Sequence, residues 1–312
     1  ILSATDESIV LYDKGNNNEI RNLDKFSALS DIGISGLAYC KDEETFIIAY
    51  NSTNIDLLTN DLVLTNIPDL KNKITSVSKN INNILIHGSK AFFSTDLGIV
   101  VLDIPNQEID NTYIIGNGGN PEAVLDCAII NDTIFALTNN EGVKFAPLKG
   151  TNLLDFSNWK FNPNMPSGLV NFIEVYNDEL YAIANLNTLY KKNGQIWDEI
   201  YSNDSIKFKS LVASEKLVSF FKRDSLEITL KDGFLVIDNL GVDTVESYFS
   251  SSTKLGVFQN ENDFYIGDES HGLLNYNNRK NLSPSGKPLK SNIYSFSSNG
   301  NKVFAAPGSM TK

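Results

Sequence analysis

Histidine is nearly absent: His87 and His271 are the only two in 312 residues. That excludes a histidine-rich metal centre and leaves a Ser-His-Asp triad only two possible places for its base. No G-x-S-x-G elbow, H-E-x-x-H helix or Walker loop occurs. Asp/Glu pairs abound on turns, but none is set apart as a glycosidase pair. Gly116-Asn117-Gly118-Gly119-Asn120 is glycine-rich, yet no helical pattern follows to hold a phosphate, so it reads as a connection. Oxygen-bearing turns such as Asp6-Glu7-Ser8 and Asp268-Glu269-Ser270 lack the D-x-D-x-D-G calcium loop, and no cofactor or metal is expected. Basic residues are few, 26 against 38 acidic, and neither sign forms a block. The clustered Lys/Arg that nucleic acid requires is missing, and the net charge of −12 mainly favours solubility. No apolar run approaches the ~18 residues of a membrane helix, so no membrane-spanning segment is expected. The chain opens on Ile1-Leu2-Ser3-Ala4-Thr5, which reads as mid-strand and suggests a trimmed or mature fragment. Cys40 and Cys127, the only cysteines, sit in apolar runs and read as small buried hydrophobes.

What is abundant is turn chemistry. Asn, Asp, Gly and Ser separate short β-rich runs, and helical periodicity is scarce. One unit recurs: a polar residue, then three or four apolar ones that include a small residue. It appears as Thr45–Ala49, Lys90–Ser94, Thr133–Ala136, Glu179–Ala182, Lys216–Ser219, Asp263–Gly267 and Lys302–Ala305, and truncated as Ile1–Ala4. Steps of roughly 40 residues match a four-stranded propeller blade. The sequence therefore predicts an all-β, seven-bladed β-propeller of four-stranded antiparallel blades. The recurring unit is strand B. An inner strand A precedes it across an Asn-Asp or Gly-Ser turn, as at Asn83–Ile86 and Asn171–Val175. Strand C follows a glycine, as at Gly98–Asp103. Small residues in strand B suit a ring whose inner strands converge. Trp159 and Trp197 fall in strand D, where blades diverge; interblade packing is their expected role, and sugar stacking the sharper alternative. In this register the cysteines lie two blades apart, too far for a disulfide. Residues 1–290 are expected to form the propeller. Residues 291–312 supply either a ring-closing inner strand, pairing Asn292–Phe296 with Ile1–Thr5, or the start of a second, truncated propeller.

Several strand B–C units have the form of the two-component-regulator propeller repeat, clearest over Tyr265–Tyr276. A longer stretch is more specific: Leu29-Ser30-Asp31-Ile32-Gly33-Ile34-Ser35-Gly36-Leu37-Ala38-Tyr39, then Ile47–Tyr50, Asn54–Leu58, Asn66–Leu70, Ile81–Ile84 and Gly98–Asp103. It resembles the N-terminal propeller of the PorZ family of the type IX secretion system, from about Asp24 to about Trp159. The resemblance implies a non-enzymatic component at the bacterial outer-membrane surface or in the periplasm. Its implied partners are a sortase-like peptidase, other secretion-complex proteins and the glycan of anionic lipopolysaccharide. The family supplies no short ligand motif that can be transferred to residues of this chain.

In a propeller the D–A and B–C connections emerge on one face. Here the D–A connections are long, at Lys71–Lys79, Gly116–Pro121, Asn162–Gly168 and Ser283–Lys290. The B–C turns add Asn51, Asn54, Asp96, Asn139, Asn185, Arg223, Asp268 and His271 as candidate ligand or partner contacts. The expected function is a non-catalytic scaffold and glycan-binding component that delivers anionic lipopolysaccharide within a type IX attachment complex. The alternative is an oligosaccharide-sensing periplasmic propeller of a hybrid two-component regulator, and a catalytic propeller ranks third.

Overall fold

The computed structural model of the protein describes residues 2–4, 8–13, 19–223, 233–246, 253–260, 263–268, 272–282, 293–299 and 302–307. Three strands open the chain: β1 (Leu2–Ala4), β2 (Ser8–Asp13) and β3 (Glu19–Asp24). Six antiparallel blades follow in sequence. Blade one holds β4 (Ile34–Cys40), β5 (Thr45–Tyr50), β6 (Ile55–Thr59) and β7 (Leu64–Ile67). Blade two holds β8 (Ile81–His87), β9 (Lys90–Thr95), β10 (Gly98–Asp103) and β11 (Glu108–Tyr113). Blade three holds β12 (Val124–Ile130), β13 (Thr133–Thr138), β14 (Val143–Pro147) and a two-residue outer strand, β15 (Lys160–Phe161). Blade four holds β16 (Val170–Tyr176), β17 (Glu179–Ala184), β18 (Thr188–Asn193) and β19 (Ile196–Ser202). In blade five the inner strand is split into β20 (Ile206–Phe208) and β21 (Val212–Ala213), both paired to β22 (Leu217–Arg223), with β23 (Gly233–Asp238) and β24 (Gly241–Glu246) outside. Blade six holds β25 (Thr253–Asn260), β26 (Asp263–Asp268), β27 (Gly272–Asn275) and β28 (Lys280–Asn281). A final hairpin, β29 (Ile293–Asn299) and β30 (Lys302–Pro307), joins β1–β3 in one sheet.

The expectation of seven four-stranded antiparallel blades is corrected: six blades are of that kind. The remaining sheet is a five-stranded composite ordered β29-β30-β1-β2-β3. It is mixed, because β30 meets β1 in parallel through Ser3 and Ala305. The cause lies in the terminal copies of the repeat. Ile1–Ala4 and Lys302–Ala305 both have the strand B pattern, and both are used side by side. Among the described residues the expected pairing of Asn292–Phe296 with Ile1–Thr5 is not found; β29 pairs with β30 instead, and Asn292, Ile1 and Thr5 lie outside the described residues.

Inner strands β4, β8, β12, β16, β21 and β25 touch in succession round the ring, and β29 touches both β25 and β4. The apolar cores lie between blades. Ala38, Ile47, Ala49 and Leu57 of blade one bury against Ala91, Phe93, Val100 and Leu102 of blade two. Leu137 and Val143 of blade three likewise meet Ile173, Leu180 and Ala182 of blade four, and Phe220 and Phe234 of blade five meet Phe264 of blade six. The small strand B residues Ala49, Ser94, Ala136, Ala182 and Ser219 are all buried where the sheets converge. Trp159 confirms the packing role: it is buried, its ring lies 6.1 Å from that of Tyr113 in blade two, and its Nε1 donates to Leu153 O at 3.0 Å. It sits just before β15 rather than within a full strand D. Trp197, in β19, donates from Nε1 to Asn164 O. Cys40 and Cys127 are buried free thiols.

Candidate binding face

Four candidate residues occupy one repeated position, the first after strand B. Asn51 N donates to Gly33 O at 2.7 Å, Asp96 N to Asn80 O at 3.1 Å, Asn139 N to Ala123 O at 2.9 Å and Asn185 N to Leu169 O at 2.8 Å. In each case the acceptor precedes strand A of the same blade. The A–B ladder thus extends past the bulge that interrupts strand A in these four blades, and ties each B–C turn to a D–A connection. Two of these contacts demand glycine. A Cβ on Gly33 would lie 3.0 Å from Asn51 Nδ2, and one on Gly168 would lie 2.4 Å from the Asn185 side chain. Both glycines have positive φ, 74° and 99°.

The eight candidates differ in availability. Asn51, Asn139 and Asn185 are exposed. Asn54 is buried, and its Oδ1 accepts from Asn66 Nδ2 at 3.0 Å. Asp96 accepts from Asn80 Nδ2 at 2.9 Å and Asn82 Nδ2 at 3.1 Å. Arg223 ends β22, half-buried, with its guanidinium 5.7 Å from the Phe221 ring centre. Asp268 ends β26. His271, the side chain of Asp268 and the Ser283–Lys290 connection lie outside the described residues. His87 ends β8 and is exposed beside the Gly88-Ser89 turn.

Groups not singled out in the sequence brace this face. In blade one, Asp56 is fully buried and accepts from Tyr50 Oη at 2.6 Å, Ser30 N at 2.9 Å and Asn66 Nδ2 at 2.8 Å. Burial and the neighbouring carboxylate push the Tyr50 hydroxyl far above its ordinary pKa. Asp31 accepts from Ser52 Oγ and Lys71 Nζ, each at 2.7 Å, which links three loops. Its burial would raise its pKa, but the hydrogen bonds from Lys71, Ser52 and Ile32 outweigh that and hold it at about 2. Thr53, a buried β-branched residue at φ 63°, completes this strained turn. In blade three, Glu141 accepts from Asn117 N at 3.0 and 3.1 Å and pairs with the buried Lys144. Lys144 also donates to Ile115 O at 2.7 Å. This fixes the glycine-rich loop, whose 3-10 turn spans Asn117–Gly119. The loop is the D–A connection between β11 and β12, and no phosphate-holding helix follows it. Exposed Phe156 and Phe161 lie against Gly119 and Gly142 at its rim.

Among the described residues, no three His, Cys, Asp or Glu side chains group to hold a metal ion. No helix there is long and apolar enough to cross a membrane. The fold and this face together define a β-propeller that presents polar connections from a rigid ring. A family model, the N-terminal β-propeller domain of PorZ of the type IX secretion system, matches residues 1–160. That is just over half of the chain, and the chain belongs to this family. No curated protein matches it. Among solved structures, PorZ of Porphyromonas gingivalis, described as an essential bacterial surface component of that system, is similar. Its TM-score is 0.58 at 15% identity, over 98% of this chain and 56% of that one. The extracellular domain of the putative hybrid two-component system BT3049 from B. thetaiotaomicron gives 0.61 at 12% identity, over 92% of this chain and 40% of that one. YCF48 from Cyanidioschyzon merolae gives 0.59 at 11%, over 88% and 94%. These likenesses show a shared fold, and the chain spans little more than half of the PorZ structure.

Proposed function

We propose that this propeller is a non-catalytic, extracytoplasmic scaffold of a type IX secretion attachment complex, acting at the outer-membrane surface or in the periplasm. In this reading the loop face binds the glycan of anionic lipopolysaccharide and delivers it to a sortase-like peptidase held with other secretion-complex proteins. The match to the PorZ propeller family carries the reading. Asn51, Asn139, Asn185, Arg223, Asp268 and His271 supply contacts, while Asn54 and Asp96 hold the turns in place. Exposed amides on a braced loop face suit hydroxyl-rich glycans, because each offers both donor and acceptor. The experiment is surface plasmon resonance of the chain over immobilised lipopolysaccharide, with and without its anionic polysaccharide. Binding that needs the polysaccharide and weakens about tenfold in Asn51→Ala/Asn139→Ala/Asn185→Ala supports the reading. Equal binding to both lipopolysaccharides, or no effect of the triple variant, refutes it. The fold shared with the two-component extracellular domain favours a second reading, an oligosaccharide sensor. Affinity for neutral oligosaccharides, with none for lipopolysaccharide, would select it.

A further inference from the structure

The two connections that flank blade one on the loop face each hide one apolar side chain and display another. In residues 24–33 Leu29 is buried, while Phe26 is fully exposed, at 101%. In residues 68–80 Leu70 is buried, while Ile74 is fully exposed, at 100%. Ile32 and Val77 add exposed apolar surface to the same two connections. Among the described residues only Leu240 is bared nearly as far, and it lies on the C–D turn of blade five, on the opposite face.

Both tips stand on fixed bases. Asp24 Oδ1 accepts from Phe26 N at 2.9 Å, Ser27 N at 2.8 Å and Ser27 Oγ at 2.9 Å, and Asp24 O accepts from Ala28 N and Leu29 N at 2.8 Å. The turn under Phe26 is therefore set by local bonds. Under Ile74, the Lys79 ammonium donates to Leu70 O, Lys71 O and Lys73 O, each at 2.8 Å. All three of its protons thus go to carbonyls at the end of the short helix Asp69–Asn72. Asp31 ties the two connections together, with Lys71 Nζ at 2.7 Å and Lys25 Nζ at 3.9 Å from its carboxylate. Tips held this way have little loop entropy left to lose on docking.

The order of residues points to what covers them. Each tip directly follows a lysine, as Lys25-Phe26 and Lys73-Ile74. An apolar group entering the acyl boundary beside an ammonium that stays with the phosphates is the pattern of interfacial anchoring. A globular partner would need two separate sockets for two projecting tips, whereas a bilayer receives any tip that reaches its plane. The local charge agrees. The chain carries −12 overall, but these two connections hold four lysines (Lys25, Lys71, Lys73, Lys79) against three aspartates (Asp24, Asp31, Asp69). Charges elsewhere on the ring, beyond about 8 Å, are largely screened at physiological salt. We propose that residues 24–33 and 68–80 form a membrane-docking edge, with Phe26 and Ile74 entering the interfacial region of an anionic bilayer and Lys25 and Lys73 held among its phosphates. This goes beyond the glycan reading and does not rest on it.

The test is co-sedimentation of the whole chain with two kinds of vesicle, phosphatidylcholine alone and phosphatidylcholine with phosphatidylglycerol in equal parts. Neither holds polysaccharide, so glycan binding does not enter the readout. We expect binding to the anionic vesicles, weaker binding to the neutral ones, and a loss of about tenfold in partition for each of Phe26→Ser and Ile74→Ser. Leu240→Ser, on the opposite face, should bind as the wild type does. A second measurement reads insertion directly: Phe26→Trp should add blue-shifted emission on anionic vesicles that lipids brominated on the acyl chain quench. A wild type that binds neither vesicle overturns the proposal. So does binding that survives both serine substitutions, or that Leu240→Ser weakens equally.

Discussion

Replacing Asp56 by alanine strips the acceptor from three donors at once: the Tyr50 hydroxyl, the Ser30 amide and the Asn66 amide group. Tyr50 and Asp56 are fully buried, so bulk water does not reach their paired groups. Each orphaned buried donor costs ~1–3 kcal/mol, and water entering the vacated space recovers part of it, so the net loss is ~3–5 kcal/mol. At ~2–4 °C per kcal/mol for a chain of this size, the melting temperature falls by roughly 6–20 °C. Asp56→Asn is milder. Its retained oxygen can still serve Tyr50 and Ser30, and only Asn66 meets a donor, for a loss of ~1–2 kcal/mol. Tyr50→Phe removes one donor and leaves the carboxylate two. The double-mutant cycle between Tyr50→Phe and Asp56→Ala should give a coupling of at least ~1 kcal/mol. Urea denaturation followed by fluorescence measures the wild type and all four variants. An Asp56→Ala protein within ~1 kcal/mol of wild type would refute the reasoning. So would an asparagine variant worse than the alanine one.

Two further outcomes follow from the backbone and the termini. Gly98→Ala places a Cβ 2.2 Å from Tyr113 O at φ 137° and should cost more than ~3 kcal/mol. Gly150→Ala, where nothing lies within 4 Å, should cost ~1 kcal/mol from its positive φ alone; equal losses in thermal melts would contradict this. We also propose that residues 1–290 form the propeller body and 291–312 its closing piece. Deleting 292–312 should then cost at least ~5 kcal/mol or prevent folding, because it bares inner strand β4 and the edge of β1. A change under ~1 kcal/mol in calorimetry would instead mark 291–312 as the start of another unit.

Strand B was the most legible part of the sequence. A polar residue, an apolar run and a small residue at Thr45–Ala49, Lys90–Ser94, Thr133–Ala136 and Glu179–Ala182 all fall inside strands of the expected kind. Gly98 was legible too, since only glycine tolerates its contact with Tyr113 O. Strand D was not, because β15 and β28 are two residues long and carry no periodicity. The blade count failed at the ends, where two strand B patterns share one sheet, a choice that depends on tertiary pairing. The break in the inner strand of blade five was equally hidden: Ser210 O accepts from Ser219 Oγ at 2.6 Å, a side-chain contact that no local pattern announces. On the binding face, the common position of Asn51, Asp96, Asn139 and Asn185 follows from the repeat. Which of them is free does not, because a turn asparagine has the same sequence signature whether it meets a ligand or a neighbouring loop.

Because the cores lie between blades, each blade has two unlike apolar faces, one fitted to the blade before it and one to the blade after. A blade is therefore not an exchangeable cassette. Grafting blade three from a relative would remove Leu137 and Val143, the partners of Ile173 and Leu180, and with them the bond between Asp126 and Asn83. The smallest transplantable unit is a connection on the loop face together with the glycine beneath it, such as Asn185 with Gly168. Recognition can diverge loop by loop on such a ring, while the interblade surfaces must change in matched pairs.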